Sequence, residues 1–470
     1  KVLPVEDDGI TLTIAVSDPL DFDTLDALPH LVGRELSLVC ATRKDITEHL
    51  EQFYGIEDTA SAVETGLEVT TGDAEAGDEG DAPIIRLVIE MLSEAFRAKA
   101  SDIHIEPLET EVRVRYRLDG KLVHVASHPK KLLPAIIARL KVMSGSMSIA
   151  EKRLPQDGRI QLKMGSKEVD LRVSSVPSNH GESIVMRILD KSALVLGLPE
   201  LGFFSDDQAT FEEMLGLPDG ILLVTGPTGS GKTTTLYACL NVINRPDRKI
   251  ITVEDPVEYE LPGINQVMVK TDIGMTFAAA LRAMLRQAPN IIMIGEIRDA
   301  ETANIAINAS LTGHLVFSTL HTNDAPSAIA RLADIGVKPF LIASAIRAVL
   351  AQRLVRKLCS NCKQPAELTD KEIRALSLDP TRITDATIFG PGGCEKCRNS
   401  GYKGRMGIFE IFIVDDEVRQ MVNTGLTTSQ LRQRARELGM RTMREDGIRK
   451  VLSGLTSANE VVHTTMSDAD

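Results

Sequence analysis

Gly226-Pro227-Thr228-Gly229-Ser230-Gly231-Lys232-Thr233 spells G-x-x-x-x-G-K-T, and its flanks decide the fold. The apolar run Ile221-Leu-Leu-Val-Thr225 precedes it. Thr233-Thr-Thr-Leu-Tyr-Ala-Cys-Leu240, a stretch with helical potential, follows it. A buried strand, a glycine turn and a helix N-terminus together cradle phosphates, because the turn's N–H groups and the helix dipole aim at one anion. In such a loop Lys232 reaches the β- and γ-phosphates of a nucleotide, and the Thr233 hydroxyl binds Mg²⁺. Working outward, strand and helix alternate from about residue 201, with near-continuous apolar strands at 221–225, 249–253, 290–295 and 315–319. Strands covered on both faces read this way, so a parallel α/β sheet is expected.

Nucleotide hydrolysis also needs acids for the metal and the attacking water, and positive charge for the transition state. Two apolar strands end in carboxylates: Lys249-Ile-Ile-Thr-Val-Glu254-Asp255-Pro256 and Ile291-Ile-Met-Ile-Gly-Glu296-Ile-Arg298-Asp299. The C-terminal ends of parallel strands share one edge, so Glu254 and Glu296 are expected beside the phosphate loop. His314 and His321 flank the 315–319 strand. Either one could sense a phosphate or position water, although a lone histidine is more often structural. Arg282 and Arg286, four apart on a predicted helix at 276–288, can pair with carboxylates or face phosphates.

Cys359-x-x-Cys362 and Cys394-x-x-Cys397 form a second constellation, separated by 31 residues. Each pair presents two thiolates to one tetrahedral ion, so the four predict a closed, structural Zn²⁺ site. A redox dithiol is the competing reading. Cys40 and Cys239 read as small buried residues.

The chain has 470 residues and a net charge of −13, with no Trp, 5 Tyr and 12 Phe. Its cores must be aliphatic, and its length suits about three domains. Residues 57–82 hold nine acidic residues and no Lys or Arg, which leaves −4 for the remainder. That balance disfavours a broad basic surface for nucleic acid. No stretch approaches the ~18 apolar residues of a membrane-spanning helix, and no leader pattern is present. A cytoplasmic location is therefore expected, with any membrane association made through partners.

The expected organisation is a small α/β unit at 1–56, with helices at 23–28 and 45–54, and an acidic flexible linker at 57–82. An α+β domain follows at 83–195 and the α/β domain at 196–470, with the cysteine module at 355–405 inside it. Arg113, Arg115 and Arg117 alternate with Val112, Val114 and Tyr116, which predicts a strand with one basic face.

The series Gly226–Thr233, Thr252-Val-Glu254-Asp-Pro256, Gly295-Glu296-Ile-Arg-Asp299, Thr312-Gly-His314 and Ser318-Thr-Leu-His321-Thr resembles the type II/IV secretion ATPase superfamily. Ala100-Ser-Asp-Ile-His-Ile-Glu106, Glu151-Lys-Arg-x-Pro-Gln-Asp-Gly-Arg159 and the paired cysteines narrow the resemblance to the assembly ATPases of type II secretion and type IV pili, over about residues 83–465. The resemblance implies a RecA-like motor domain with a zinc-binding insertion. A PAS-like N2 domain would come before it, and residues 1–56 would be the end of an N1 domain that starts upstream of Lys1. It implies ATP, Mg²⁺ and Zn²⁺ as cofactors, with Glu296 at the Walker B position as a magnesium ligand beside Thr233. Glu254 would be a water-activating acid, and His314 and His321 would belong to a histidine box. Arg159 and Arg172 are the arginines of N2 that would reach the nucleotide, in their own subunit or a neighbour's. It further implies a homo-hexamer at the cytoplasmic face of the inner membrane, acting on a platform protein. Retraction ATPases of the superfamily generally lack the paired cysteines and the long N-terminal region, so assembly is the implied direction.

Two other classes stand against this reading. A GTP-dependent switch predicts an N-K-x-D motif, which the chain lacks. A nucleic-acid translocase of the same superfamily predicts a more basic balance.

Overall fold

The computed structural model describes residues 2–7, 11–17, 35–42, 45, 46, 49, 67–69, 82–164, 167–190, 197–378, 387–425 and 427–466. The chain divides into two compact units: Lys1–Leu118 with Leu122–Ile188, and Asp119–Lys121 with Leu189–Asp470.

In the first unit, β1 (Val2–Asp7), β2 (Thr11–Val16) and β3 (Glu35–Cys40) form a small sheet. β1 and β2 are antiparallel, and β2 and β3 are parallel. β1 was not legible as a strand, because proline and acids interrupt its pattern. The helix expected at 23–28 lies outside the described residues. Of the one at 45–54, only Asp45, Ile46 and His49 are described, all helical, with Ile46 buried. Cys40, read as buried, is exposed.

The second sheet of this unit runs β4 (Leu67–Val69), β8 (Gln156–Met164), β9 (Lys167–Ser178), β10 (Gly181–Asp190), β5 (Asp102–Pro107), β6 (Glu111–Leu118) and β7 (Lys121–Pro129), in that order. β4 falls within the acidic stretch read as a linker. Its three residues add to the edge of β8, with Val69 opposite Leu162, and main-chain pairing needs no apolar run that short. Most of the rest of 57–82 lies outside the described residues. Helices α1 (Ala82–Arg97) and α2 (Leu133–Ser144) supply Val88, Leu92, Ile136 and Leu140 to one core with Ile103, Ile105, Val112, Val114, Ile160 and Leu171. The Tyr116 hydroxyl donates to Met91 O (2.7 Å), so the one polar atom this ring brings to the core is satisfied.

The expected basic face of β6 is present but neutralised. Arg113 and Arg115 both bind Glu106 on β5. Arg117 and Arg187 both bind Asp102 (3.0 and 3.2 Å). The segment 148–156 is fixed in turn by Gln156 Nε2, which donates to Ser148 O and Glu151 O. Glu151 O also accepts from the buried Lys141, whose ammonium pairs with Glu182.

The second unit is built on a seven-stranded sheet. Its order is β13 (Asn265–Met268), β12 (Ile250–Glu254), β14 (Ile291–Ile294), β15 (Leu315–Leu320), β11 (Gly220–Thr225), β16 (Ile346–Leu358) and β19 (Tyr402–Ile413). Six strands are parallel, and β19 returns antiparallel on β16. The four strands read from apolar runs are β11, β12, β14 and β15, each buried along its whole length. One face packs on Leu236, Cys239, Leu240 and Phe211, the other on Leu281, Ala306, Ile307 and Ile329. Cys239 is buried as expected. Helix α3 (Lys232–Ile243) leaves the phosphate loop, α4 (Phe277–Leu285) precedes β14, and α5 (Ala300–Leu311) joins β14 to β15. β17 (Gln364–Pro365) and β18 (Phe389–Gly390) make a small ribbon beside the cysteines. The C-terminal helices α6 (Asp416–Asn423), α7 (Thr428–Glu437), α8 (Met443–Leu452) and α9 (Ala458–Thr464) each start at a Ser, Thr or Asp whose side chain accepts a backbone N–H. Among the described residues no helix is long and apolar enough to cross a membrane.

Candidate functional site

β11 delivers the chain to the loop at the C-terminal edge of the sheet. Gly226, Gly229 and Gly231 have φ of 149, 79 and 88°, which side chains rarely adopt. A Cβ on Gly226 would lie 2.4 Å from Gln352 O, so close packing also demands glycine there. Pro227, Thr228 and Gly229 are exposed at the tip, and nothing lies within 4 Å of where a Gly229 Cβ would sit. Ser230 Oγ is buried without a hydrogen-bond partner. An open, donor-lined tip above an unsatisfied hydroxyl fits a bound phosphate.

Lys232 Nζ donates to Gly226 O (2.8 Å) and Pro227 O (3.0 Å), folded back over its own loop. Its burial lowers its pKa below the ordinary lysine value, and the nearby Glu296 carboxylate offsets this only in part. Thr233, half-buried, stands in the first turn of α3.

Glu296 sits two residues past β14. The turn is pinned from both sides, with Gly295 N donating to Val253 O (2.8 Å) and Ile297 N to Thr319 O (3.1 Å). Its side chain is 17% exposed, pairs with Arg298 and lies 3.5 Å from His321 Nε2. Lys232, Glu296, Arg298 and His321 therefore gather as one polar group at the sheet's C-terminal edge.

Glu254 has different surroundings. It ends β12 but is only 3% exposed. Its Oε1 accepts from Thr252 Oγ1 (2.6 Å) and Gln266 Nε2 (3.1 Å), and its Oε2 from the Tyr237 hydroxyl. The water-activating role expected of Glu254 does not fit a carboxylate whose two oxygens are already held by protein donors. The next residue, Asp255, is exposed and its charge is felt by Arg298. Successive strand residues face opposite ways, so the sequence alone could not tell which of the two acids turns outward.

His314 is not near this group. It precedes β15 rather than following it, and its backbone O accepts from Gly220 N at the start of β11. A six-residue strand of roughly 20 Å separates it from the C-terminal edge. Its Nδ1 is hydrogen-bonding distance from Ala309 O (2.9 Å). Arg282 pairs with Glu301, and Arg286 donates to Arg282 O (3.0 Å), so both serve the helices that carry them. Asp299 caps α5 through Thr302 N (2.8 Å). Arg159 and Arg172 belong to the first unit, as directly opposed residues of β8 and β9.

Gln352 was missed. It lies in β16 one residue beyond Ala351, the partner of Thr225. Its Nε2 donates to Ser230 O (2.6 Å) and its Oε1 accepts from Thr235 Oγ1 (2.7 Å), which ties the loop to its helix. The only sequence signal is that this amide closes the apolar run Ala348–Ala351 and so needs partners if it is buried, but the run does not say which.

The four cysteines converge. Leu358 pairs with Tyr402 across β16 and β19, and Cys359 N donates to Gly401 O (2.9 Å), so the long ribbon brings the two knuckles together despite the gap between them. The four sulfurs lie within 4.8 Å of one another. Three separations are 3.9, 3.6 and 3.7 Å. A tetrahedron with metal–sulfur bonds of about 2.3 Å has edges of about 3.8 Å, so the set fits one ion. Burial opposes the Cys397 thiolate, but N–H groups of Cys394 and Gly401 outweigh it and hold the pKa at about 6.

Residues 77–463 match the family model described as type II/IV secretion system protein, and residues 1–60 match the MshEN domain. The chain is 46% identical over 479 residues to the type IV pilus assembly ATPase PilB of Myxococcus xanthus, covering 99% of this chain and 84% of that one. It is 43% identical over 483 residues to the type II secretion system protein E of Dickeya dadantii, covering 100% and 95%. Two solved structures share its RecA-like α/β fold. The Legionella pneumophila ATPase DotB has a TM-score of 0.60 at 22% identity, covering 85% of this chain and 99% of that one. The pilus retraction motor PilT, solved with ADP bound, has a TM-score of 0.55 at 25% identity, covering 80% and 96%. A phosphate loop facing a paired glutamate at one sheet edge, in a chain this similar to named ATPases over its whole length, leads to one conclusion: the protein belongs to the type II/IV secretion system protein family and is an ATPase.

Proposed function

We propose that the chain is the ATP-hydrolysing motor that powers addition of pilin or pseudopilin subunits in a type IV pilus or type II secretion machine. The observation that carries the reading is the group formed by Lys232, Glu296, Arg298 and His321 beside the phosphate loop. Phosphoryl transfer is largely positioning and charge stabilisation, and this group supplies both. The backbone of Gly226–Thr233 would hold the phosphates, with Lys232 on the β- and γ-oxygens. Thr233 and Glu296 are the residues that would hold Mg²⁺, which supplies charge neutralisation when bound. Glu296 would also orient the attacking water, with His321 steadying its carboxylate. Arg159 and Arg172 would add positive charge for the transition state.

The resting Lys232 contacts would be exchanged for phosphate when nucleotide enters, a trade of neutral carbonyls for charged oxygens. The Cys359, Cys362, Cys394 and Cys397 cluster would hold Zn²⁺ in a structural role, since four ligands leave no open position. The working form would be a homo-hexamer at the cytoplasmic face of the inner membrane, pushing on a platform protein, with no nucleic acid involved.

Glu296→Gln tests the reading. It keeps the shape of the side chain and removes its charge. Single-turnover hydrolysis should fall at least ~100-fold, while ATP still binds. Wild-type hydrolysis by this variant would sink the assignment, and preference for GTP over ATP in competition would redirect it to a switch.

A further inference from the structure

We infer that Tyr237 and Gln266 are positioning residues which, by holding the Glu254 carboxylate, tie the helix leaving the phosphate loop to the turn that presents Asp255. The inference rests on Glu296 being the acid that meets the attacking water.

Three segments meet at Glu254. Tyr237 comes from α3, five residues after Lys232. Thr252 comes from β12 itself. Gln266 comes from β13, at the far end of the 255–264 connection. Gln266 also closes that connection on itself, with Nε2 donating to Tyr259 O (3.1 Å) and Oε1 accepting from Leu261 N (2.6 Å). Tyr259 meets Tyr237 edge-on, with ring centroids 4.7 Å apart. Among the described residues no cation pairs with Glu254, so its stability in the buried sheet rests on three neutral donors. A buried carboxylate tolerates the loss of a donor poorly.

The geometry also gives the contact a direction. α3 is tethered to the loop through Thr235 and Gln352, and to β12 through Tyr237 and Glu254. The residue after Glu254 is Asp255, whose charge acts on Arg298, the partner of Glu296. A shift of α3 when the loop fills would thus pass through one buried carboxylate to the acid-bearing edge.

The test is a double-mutant cycle on the full chain, read as KM for ATP against kcat. Tyr237→Phe should leave KM within about twofold and lower kcat about five- to thirtyfold, since one donor is lost from a buried charge. Glu254→Gln should cost less than about tenfold, because a neutral amide needs no full donor set. In the double variant kcat should return to the Glu254→Gln level. A Glu254→Gln protein that binds ATP normally but turns over at about a thousandth of the wild-type rate would make Glu254 a catalytic acid and overturn the inference. Wild-type kcat in Tyr237→Phe would overturn it as well, reducing the hydroxyl to packing. If Tyr237→Phe does not fold, Gln266→Leu takes its place in the same cycle, with the same outcomes. Failure of the Glu296 reading is separate: it appears as an active Glu296→Gln protein, whatever this cycle returns.

Discussion

Gln352 illustrates how a single side chain can govern a loop it does not belong to. Its amide satisfies Ser230 O and Thr235 Oγ1 at once, and it is 2% exposed. Gln352→Leu keeps the volume and removes both bonds, which leaves a buried carbonyl and a buried hydroxyl without partners at a cost of roughly 1–3 kcal/mol each. The loop should then populate conformations that bind phosphate less well. KM for ATP is expected to rise about tenfold, with kcat at saturating ATP changed less than threefold. Nucleotide titration of the purified variant checks this, and an unchanged KM would show that the glycines alone hold the loop. The same residue marks the limit of sequence reading at this scale. The loop and Glu296 were legible because each is a local pattern whose strand context points one way. Gln352, Tyr237 and Gln266 were not, because what defines them is a partner distant in sequence. His314 stands at the N-terminal end of the strand it precedes, the edge away from the phosphate loop, and its place before 315–319 already implied as much.

At the scale of elements, legibility followed burial. β11, β12, β14 and β15 were plain because both faces are covered and every residue is apolar or nearly so. β13, with Asn and Gln in four residues, gave no such signal and exists because the edge of β12 was available to pair. The long β16–β19 ribbon does two jobs. Its middle carries Gln352 and its end carries Cys359, seven residues further along. The metal proposed at the four cysteines closes that end, where Leu358 opposes Tyr402. Without it, the four sulfurs crowd within 4.8 Å of one another with no ion to share, and the knuckles rest on backbone bonds such as Cys359 N to Gly401 O (2.9 Å). Cys394→Ser with Cys397→Ser should remove about one zinc per chain as measured by elemental analysis. Hydrogen exchange should quicken at Val355–Leu358 and Tyr402–Met406, while the amides around Gln352 stay protected. A variant that loses zinc yet keeps full protection at the ribbon end would mean that β-pairing, not the ion, closes it.

At the scale of the whole molecule, the site's side chains gather at one edge of one sheet, and the proposed function passes the work of hydrolysis to other proteins. A motor of this kind gains from conditional sites. If each subunit hydrolysed ATP independently, mixing in a Lys232→Ala subunit would dilute activity in simple proportion. If subunits close into a ring through head-to-tail contacts, each site depends on neighbours, and inert subunits should poison active ones. With half the subunits inert, independent sites would retain about half the activity. A six-membered ring that needs every member would retain only about 2%, one part in 2 raised to the sixth power. We expect a curve well below the proportional line, with specific activity of the unmixed wild type rising with protein concentration as the ring assembles. ATPase assays across a mixing series, with the assembly state followed by light scattering, would separate the two cases. A straight line through one half would rule out a ring whose sites fire together, and would leave the ATPase intact as an enzyme of independent subunits.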